Sequence, residues 1–368
     1  MNQEWKYLIA LSRVRGIGEV LIKNLFSRFG SAKEIFAASK KDLRQVQGIS
    51  ERHIEAIKSF SDWPDVEEEL NKIDKHKVRL LSLKDSEYPE SLSQIYNPPS
   101  FLYITGEILH SDKNSIAIVG TRLPNKYGRK VTEALAGELA SMGITVVSGL
   151  ARGVDSIAQA EALKRGGRTI GVLGCGLDVV YPPENVKLYK QVSENGAVVS
   201  EFGLGTPPIS HNFPQRNRII SGISLGVIVV QASEKSGSLI SASFALDQNK
   251  EVFAVPGNID NKLSRGSNWL IKKGAKLVET VDDVLLEFEA FANLKSSGLF
   301  EEERTQKVLD KLSQNQKEVY SVLSSEPQHI DDIHKKTGIE SANLLSILLT
   351  LELNDYVQQL PGKIFQIK

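Results

Sequence analysis

From residue 115 to residue 280 the chain repeats one pattern: a short run rich in Val and Ile, a glycine or serine, then a helical stretch. The strand-like runs are SIAIVG (115–120), ITVVSG (144–149), TIGVLG (169–174), AVVSEF (197–202), LGVIVVQ (225–231), EVFAVPG (251–257) and AKLVET (275–280). Helix-like runs at 126–142, 154–165, 185–194, 215–223, 238–248 and 266–273 separate them. Near-continuous β-branched strands are buried on both faces, and alternation with helices predicts a doubly wound, mostly parallel α/β sheet. In such sheets ligands sit outside the carboxyl ends of the strands.

The loops at those ends hold a particular set of residues. VGTR (119–122) places Gly120 and Arg122 after the first strand, and SGLARGVD (148–155) places Gly149 and Arg152 after the second, with Asp155 suited to cap a helix. GCGLD (174–178) follows the third, with YPPEN and Lys187 beyond, and KSGSL (235–239) brings Gly237. The stretch HNFPQRNRIISG (211–222) closes a loop over 202–218 and carries Phe213, Arg216 and Arg218. Arginines, an aromatic ring and helix N-termini suit a polyanion that carries bases. The competing reading makes Phe213 a core residue and the arginines salt-bridge partners.

Charge supports an anionic partner. The net charge is zero, but residues 1–60 carry 11 Lys and Arg against 6 Asp and Glu, and residues 116–278 carry 19 against 12. The acidic excess lies in 61–115 and 279–368, so the neutral total hides two basic blocks. No dinucleotide fingerprint follows the first strand and no Walker lysine motif is present, which argues against nicotinamide and ATP. The single cysteine, Cys175, excludes a disulfide framework and a thiolate metal cage and reads as a core residue of a cytoplasmic protein. His211 is the only histidine of the α/β block and has no catalytic partner in sequence. No apolar run reaches the ~18 residues that a membrane helix needs, and neither a cofactor nor a metal is expected.

The flanks differ. Residues 1–62 hold short helices with Gly16-Ile17-Gly18 and a second glycine turn at 46–50, similar to tandem helix-hairpin-helix (SAM-like) units. Their backbone N–H groups suit a phosphate, or their glycines simply end helices. Residues 63–110 read as a bridging segment on the core domain of 111–290, and 291–312 as an acidic helical linker. Residues 313–368 resemble a winged helix, yet the would-be recognition helix at 340–353 has no Lys or Arg, which disfavours major-groove reading and favours a protein-contact or packing role.

The strings VGTR, VVSGLARGVD, TIGVLGCGLDVVYPPEN, NFPQRNRIISG, SGSLISA and VFAVPGNI follow one another in the order and spacing of the DprA (DNA-processing protein A, Smf) family of bacterial natural transformation. The resemblance is strongest over 100–290. It implies an extended Rossmann-like domain that binds single-stranded DNA without sequence preference and loads the RecA recombinase, with no reaction catalysed. It further implies that Arg122 binds phosphate, that Phe213 stacks a base, that Arg216 and Arg218 line the pocket, and that Gly120, Gly149 and Gly237 admit the strand. It implies a homodimer through 266–278, with Trp269, Leu270 and Leu277 as apolar contacts. Gln159, Pro183 and Ser210 depart from the residues some relatives carry; Lys187 and Arg152 are candidate substitutes for the missing charges. Two other classes remain: a nucleotide-processing enzyme of the lysine-decarboxylase-like phosphoribohydrolase type, whose PGGxGTxxE string is here KSGSLISA without the glutamate, and a winged-helix repressor gated by a small ligand.

Overall fold

The computed structural model describes residues 3–288, 291, 312–323, 327–354 and 356–367. These form two units, divided between Ala290 and Phe291. The expected linker falls almost wholly outside the described residues.

The first unit begins with short helices: α1 (Gln3–Arg13), α2 (Glu19–Phe29), α3 (Ala32–Ala37), α4 (Lys40–Leu43), α5 (Glu51–Lys58) and α6 (Trp63–Lys75). Gly16 and Gly48, both at positive φ, make the two turns that precede α2 and α5; a Cβ is strained there. Then come β1 (Arg79–Ser82), α7 (Glu90–Ser93) and β2 (Phe101–Gly106).

The α/β pattern follows as β3 (Ser115–Val119), α8 (Lys126–Ser141), β4 (Thr145–Ser148), α9 (Val154–Lys164), β5 (Thr169–Leu173), α10 (Val186–Glu194) and β6 (Gly196–Ser200). After these lie α11 (Asn212–Ile223), β7 (Gly226–Val229), α12 (Ser238–Asp247), β8 (Glu251–Ala254), α13 (Arg265–Lys272), β9 (Lys276–Leu277) and α14 (Val281–Leu285). Nine strands form one sheet in the order β1-β2-β6-β5-β4-β3-β7-β8-β9. Strands β3 to β9 run parallel, and β1 and β2 are antiparallel additions next to β6. The segment expected to bridge domains therefore extends the sheet itself: FLYITG places two buried residues, Tyr103 and Ile104, on β2 where it pairs with β6.

Every residue of β3, β4, β5, β6 and β7 is buried, as the unbroken Val and Ile runs require. One core fills the space between the N-terminal helices and one sheet face, with Leu11, Ile22, Tyr103, Leu173 and Val198. The other lies under α11 and α12, with Ile219, Ile223, Ala242 and Val229. The chain winds from β3 outward to β6, then returns through α11 to β7 on the other side of β3. The switch point is thus the crevice above β3 and β7.

The second unit has helices Gln314–Val322, Ile330–Thr337 and Ser341–Leu353 and a three-stranded sheet of Gln328–His329, Val357–Leu360 and Ile364–Ile367. It has its own core around Val319, Ile333, Leu348 and Phe365 and is the expected winged helix.

Candidate nucleic-acid interface

The helix read over 215–223 starts earlier, at Asn212, so Phe213 lies on it, and this decides where its side chains go. On a helix, positions 0, +3, +4 and +7 share a face. Phe213, Arg216, Asn217 and Ile220 therefore form one stripe, and all four line a cavity of about 350 Å³ above the switch point. Val119, Gly120, Thr121 and Arg122 from the turn after β3 form a second wall, and Ser233, Ser236, Gly237, Ser238 and Ser241 after β7 form the third.

Hydrogen bonds fasten the turn after β3 to the chain around it. Thr121 N donates to Gln231 O at 2.8 Å, and Val154 N donates to Thr121 O at 3.2 Å. Gly153 makes the second approach possible: its φ is +79°, and a Cβ there would lie 2.4 Å from Thr121 O. The Gln231 amide clamps Asn125, donating to its Oδ1 at 3.0 Å and accepting from its N–H at 3.2 Å.

Arg122 is exposed, and its guanidinium sits 5.7 Å from the centre of the half-buried Phe213 ring. Among the described residues no carboxylate is bonded to it. Arg216 lies 6.0 Å from the same ring but is only 4 % exposed. It donates to Gly149 O at 2.7 Å and to Val172 O. Burial pulls its pKa down, and the neighbouring Asp155 pushes it back up. Asp155 is itself raised by burial and held down by Arg216 and by the N–H groups of Gly149 and Ala151. Asp155 thus offsets the buried Arg216 charge, so Arg122 supplies the exposed positive charge at the mouth. Tyr181, 5.7 Å from Phe213 and tilted by 43°, backs the ring.

Several expected site residues lie elsewhere. Arg218, at +5 from Phe213, points to the far side of α11, where it donates to Asn97 O at 2.7 Å and pairs with Glu201. It does not line the cavity. Arg152 forms an exposed ion pair with Glu184, and Lys187 is exposed on α10; neither lines the cavity. Gly149 makes room for an arginine rather than opening onto the cavity: a Cβ there would lie 2.4 Å from the Arg216 guanidinium. Asp155 does not cap α9, whose cap position is Gly153; its carboxylate accepts from Gly149 N at 3.1 Å. Gln159 is buried, accepting from Leu150 N at 3.0 Å and donating to Thr169 Oγ1 at 3.2 Å. Cys175 is buried, and burial pushes its thiol up to about 11. At the opposite edge Trp269 and Leu277 are half exposed, whereas Leu270 is 4 % exposed and belongs to the core.

Asn217, Thr121 and the paired hydroxyls of Ser236 and Ser238, 2.8 Å apart, were not singled out from sequence. The +4 spacing from Phe213 marks Asn217 once the helix start is placed at residue 212.

Comparison with known proteins agrees with this architecture. The family model "DNA recombination-mediator protein A" matches residues 79–289, a DprA winged helix domain model matches 303–363, and a SAM-like helix-hairpin-helix tandem model matches 8–60. Protein Smf of Synechocystis is 32% identical, with 99% of each chain covered. The crystal structure of DNA processing protein A from Streptococcus pneumoniae matches with a TM-score of 0.68 at 35% identity, covering 77% of this chain and 98% of that one. The same protein from Helicobacter pylori, described for its single-stranded DNA binding mode, matches with a TM-score of 0.52 at 36% identity, covering 56% and 94%. The nine-stranded sheet, the two flanking domains and these matches together place the chain in the DprA/Smf family of DNA recombination mediators.

Proposed function

We propose that the protein binds single-stranded DNA without regard to sequence, protects it during natural transformation and loads the RecA recombinase onto it. The observation that carries this reading is the convergence of Arg122 from the turn after β3 and of Phe213 and Arg216 from α11 on one cavity at the switch point. A free guanidinium beside a ring suits a phosphate followed by a stacked base. The relative from H. pylori is described by its single-stranded DNA binding mode, which points the same way. Phosphate contacts and stacking carry no sequence information, which suits a mediator of incoming strands.

The same reading holds that no reaction is catalysed. The ionisable groups buried at the cavity, Asp155 and Arg216, offset each other electrostatically and are held by the main chain. It also holds that the protein works in the cytoplasm; among the described residues no helix is long and apolar enough to cross a membrane. A homodimer is proposed through the β9 edge. There Trp269, Leu277, Ile240, Leu246 and Ile259 leave apolar surface around a shallow groove of about 1150 Å³.

RecA loading is tested by following filament growth on a single strand already coated with a single-stranded DNA-binding protein. The wild-type chain is expected to shorten the lag, and Arg122→Ala to leave it long. An unchanged lag with the wild-type chain contradicts the loading role.

A further inference from the structure

Among the described residues, Asn217 is the one side-chain amide lining the cavity. It stands one turn beyond Phe213 on the same stripe of α11. Its amide is oriented from two sides. Oδ1 accepts from Arg216 Nε at 3.2 Å, and Nδ2 donates to the Gly237 carbonyl at 3.3 Å. One N–H and one carbonyl lone pair of the amide remain unused.

Every nucleobase carries a donor next to an acceptor on its Watson–Crick edge: N6–H and N1 in adenine, N4–H and N3 in cytosine, N1–H and O6 in guanine, N3–H and O4 in thymine. A carboxamide offers the complement of each. The order of donor and acceptor differs between bases, but either face of a base can stack on the ring, and turning the base over reverses that order, since stacking tolerates every base and both faces. In a duplex that edge is occupied by the opposite strand. We propose that Asn217 bonds the Watson–Crick edge of a base stacked at Phe213, so that the cavity selects unpaired nucleotides and yet accepts any of the four. This inference rests on the reading of the cavity as a single-strand site and adds the group that senses pairing.

The probe is a thymidine hexanucleotide compared with one built from N3-methylthymidine. The methyl group blocks the Watson–Crick edge but leaves the phosphates and the stacking face in place. The full-length wild-type chain should bind the methylated strand about tenfold more weakly, the size of one two-point base contact. Asn217→Ala should bind the two strands alike. Asn217→Asp, with acceptors only, should turn the indifferent site into one that prefers guanine, whose N1–H and N2–H are adjacent donors; this ranking is read on thymidine hexanucleotides with and without guanines. It carries the test alone if the alanine variant does not fold. Equal affinity of the wild-type chain for both thymine strands, or the same methyl penalty in wild type and Asn217→Ala, overturns the role of Asn217. Failure of the wild-type chain to bind either strand overturns the single-strand reading and this inference with it.

Discussion

Two arginines two residues apart have opposite environments. Arg216 faces the cavity and Arg218 faces the core, because a helix separates positions i and i+2 by about 200°. Truncating each should separate stability from binding. Arg218→Ala leaves Glu201 buried without its partner, a change that costs about 3–5 kcal/mol, so its thermal or denaturant midpoint should fall sharply. Arg122→Ala removes an exposed group, so stability should stay within ~0.5 kcal/mol. Its DNA affinity should drop, with the salt slope shallower by about 0.7. Glu201 also gives a pH signature. Burial pushes its carboxyl up to about 7, with Arg218 lowering it and Glu19 adding to the rise. The folded chain therefore holds this proton more tightly than the unfolded chain does. Stability from this group is fully present below the ordinary glutamate value of 4.5 and is lost as pH rises through 7, at most ~1.4 kcal/mol per pH unit. Denaturant titrations between pH 5 and 8 should show wild type losing stability relative to Glu201→Gln as pH rises; a constant difference contradicts the assignment.

At the scale of elements, α11 connects core and site. Ile219 and Ile223 bury in the sheet core, while the 213–216–217–220 stripe lines the cavity. The strands were legible because two-sided burial leaves unbroken Val and Ile runs, and the Gly120–Arg122 turn was legible from its place after the first strand. The start of α11 was not. Pro214 and the polar residues around it resemble loop composition, yet proline is tolerated in a first helical turn, and the helix begins at Asn212. That shift puts Phe213 on the helix, one turn before Asn217, so that the two share the cavity face while Arg218 turns to the core. The role of Gly149 was equally hidden, since only tertiary packing puts a guanidinium against it. Gly149→Ala should displace Arg216 and weaken DNA binding although residue 149 does not line the cavity; binding equal to wild type contradicts this coupling.

Across the whole molecule, one continuous sheet carries two separate surfaces: the cavity above β3 and β7, and the apolar edge at β9. Trp269 and Leu277 are exposed there, whereas Leu270 holds α13 on the core. Trp269→Arg should therefore yield a folded monomer by light scattering, and Leu270→Arg an unstable chain. The winged-helix unit brings only 5 basic residues against 7 acidic ones over 313–368, so it adds little to phosphate binding. The central claim is that the cavity holds unpaired nucleotides, and competition of single- against double-stranded oligonucleotides at two salt concentrations, with wild type and Phe213→Ala, tests it most directly. The account predicts preference for the single strand whatever its sequence, affinity that falls with salt, and a loss of about 1–3 kcal/mol in Phe213→Ala. Equal affinity for both forms of DNA, or a Phe213→Ala chain that binds as tightly as wild type, would contradict it.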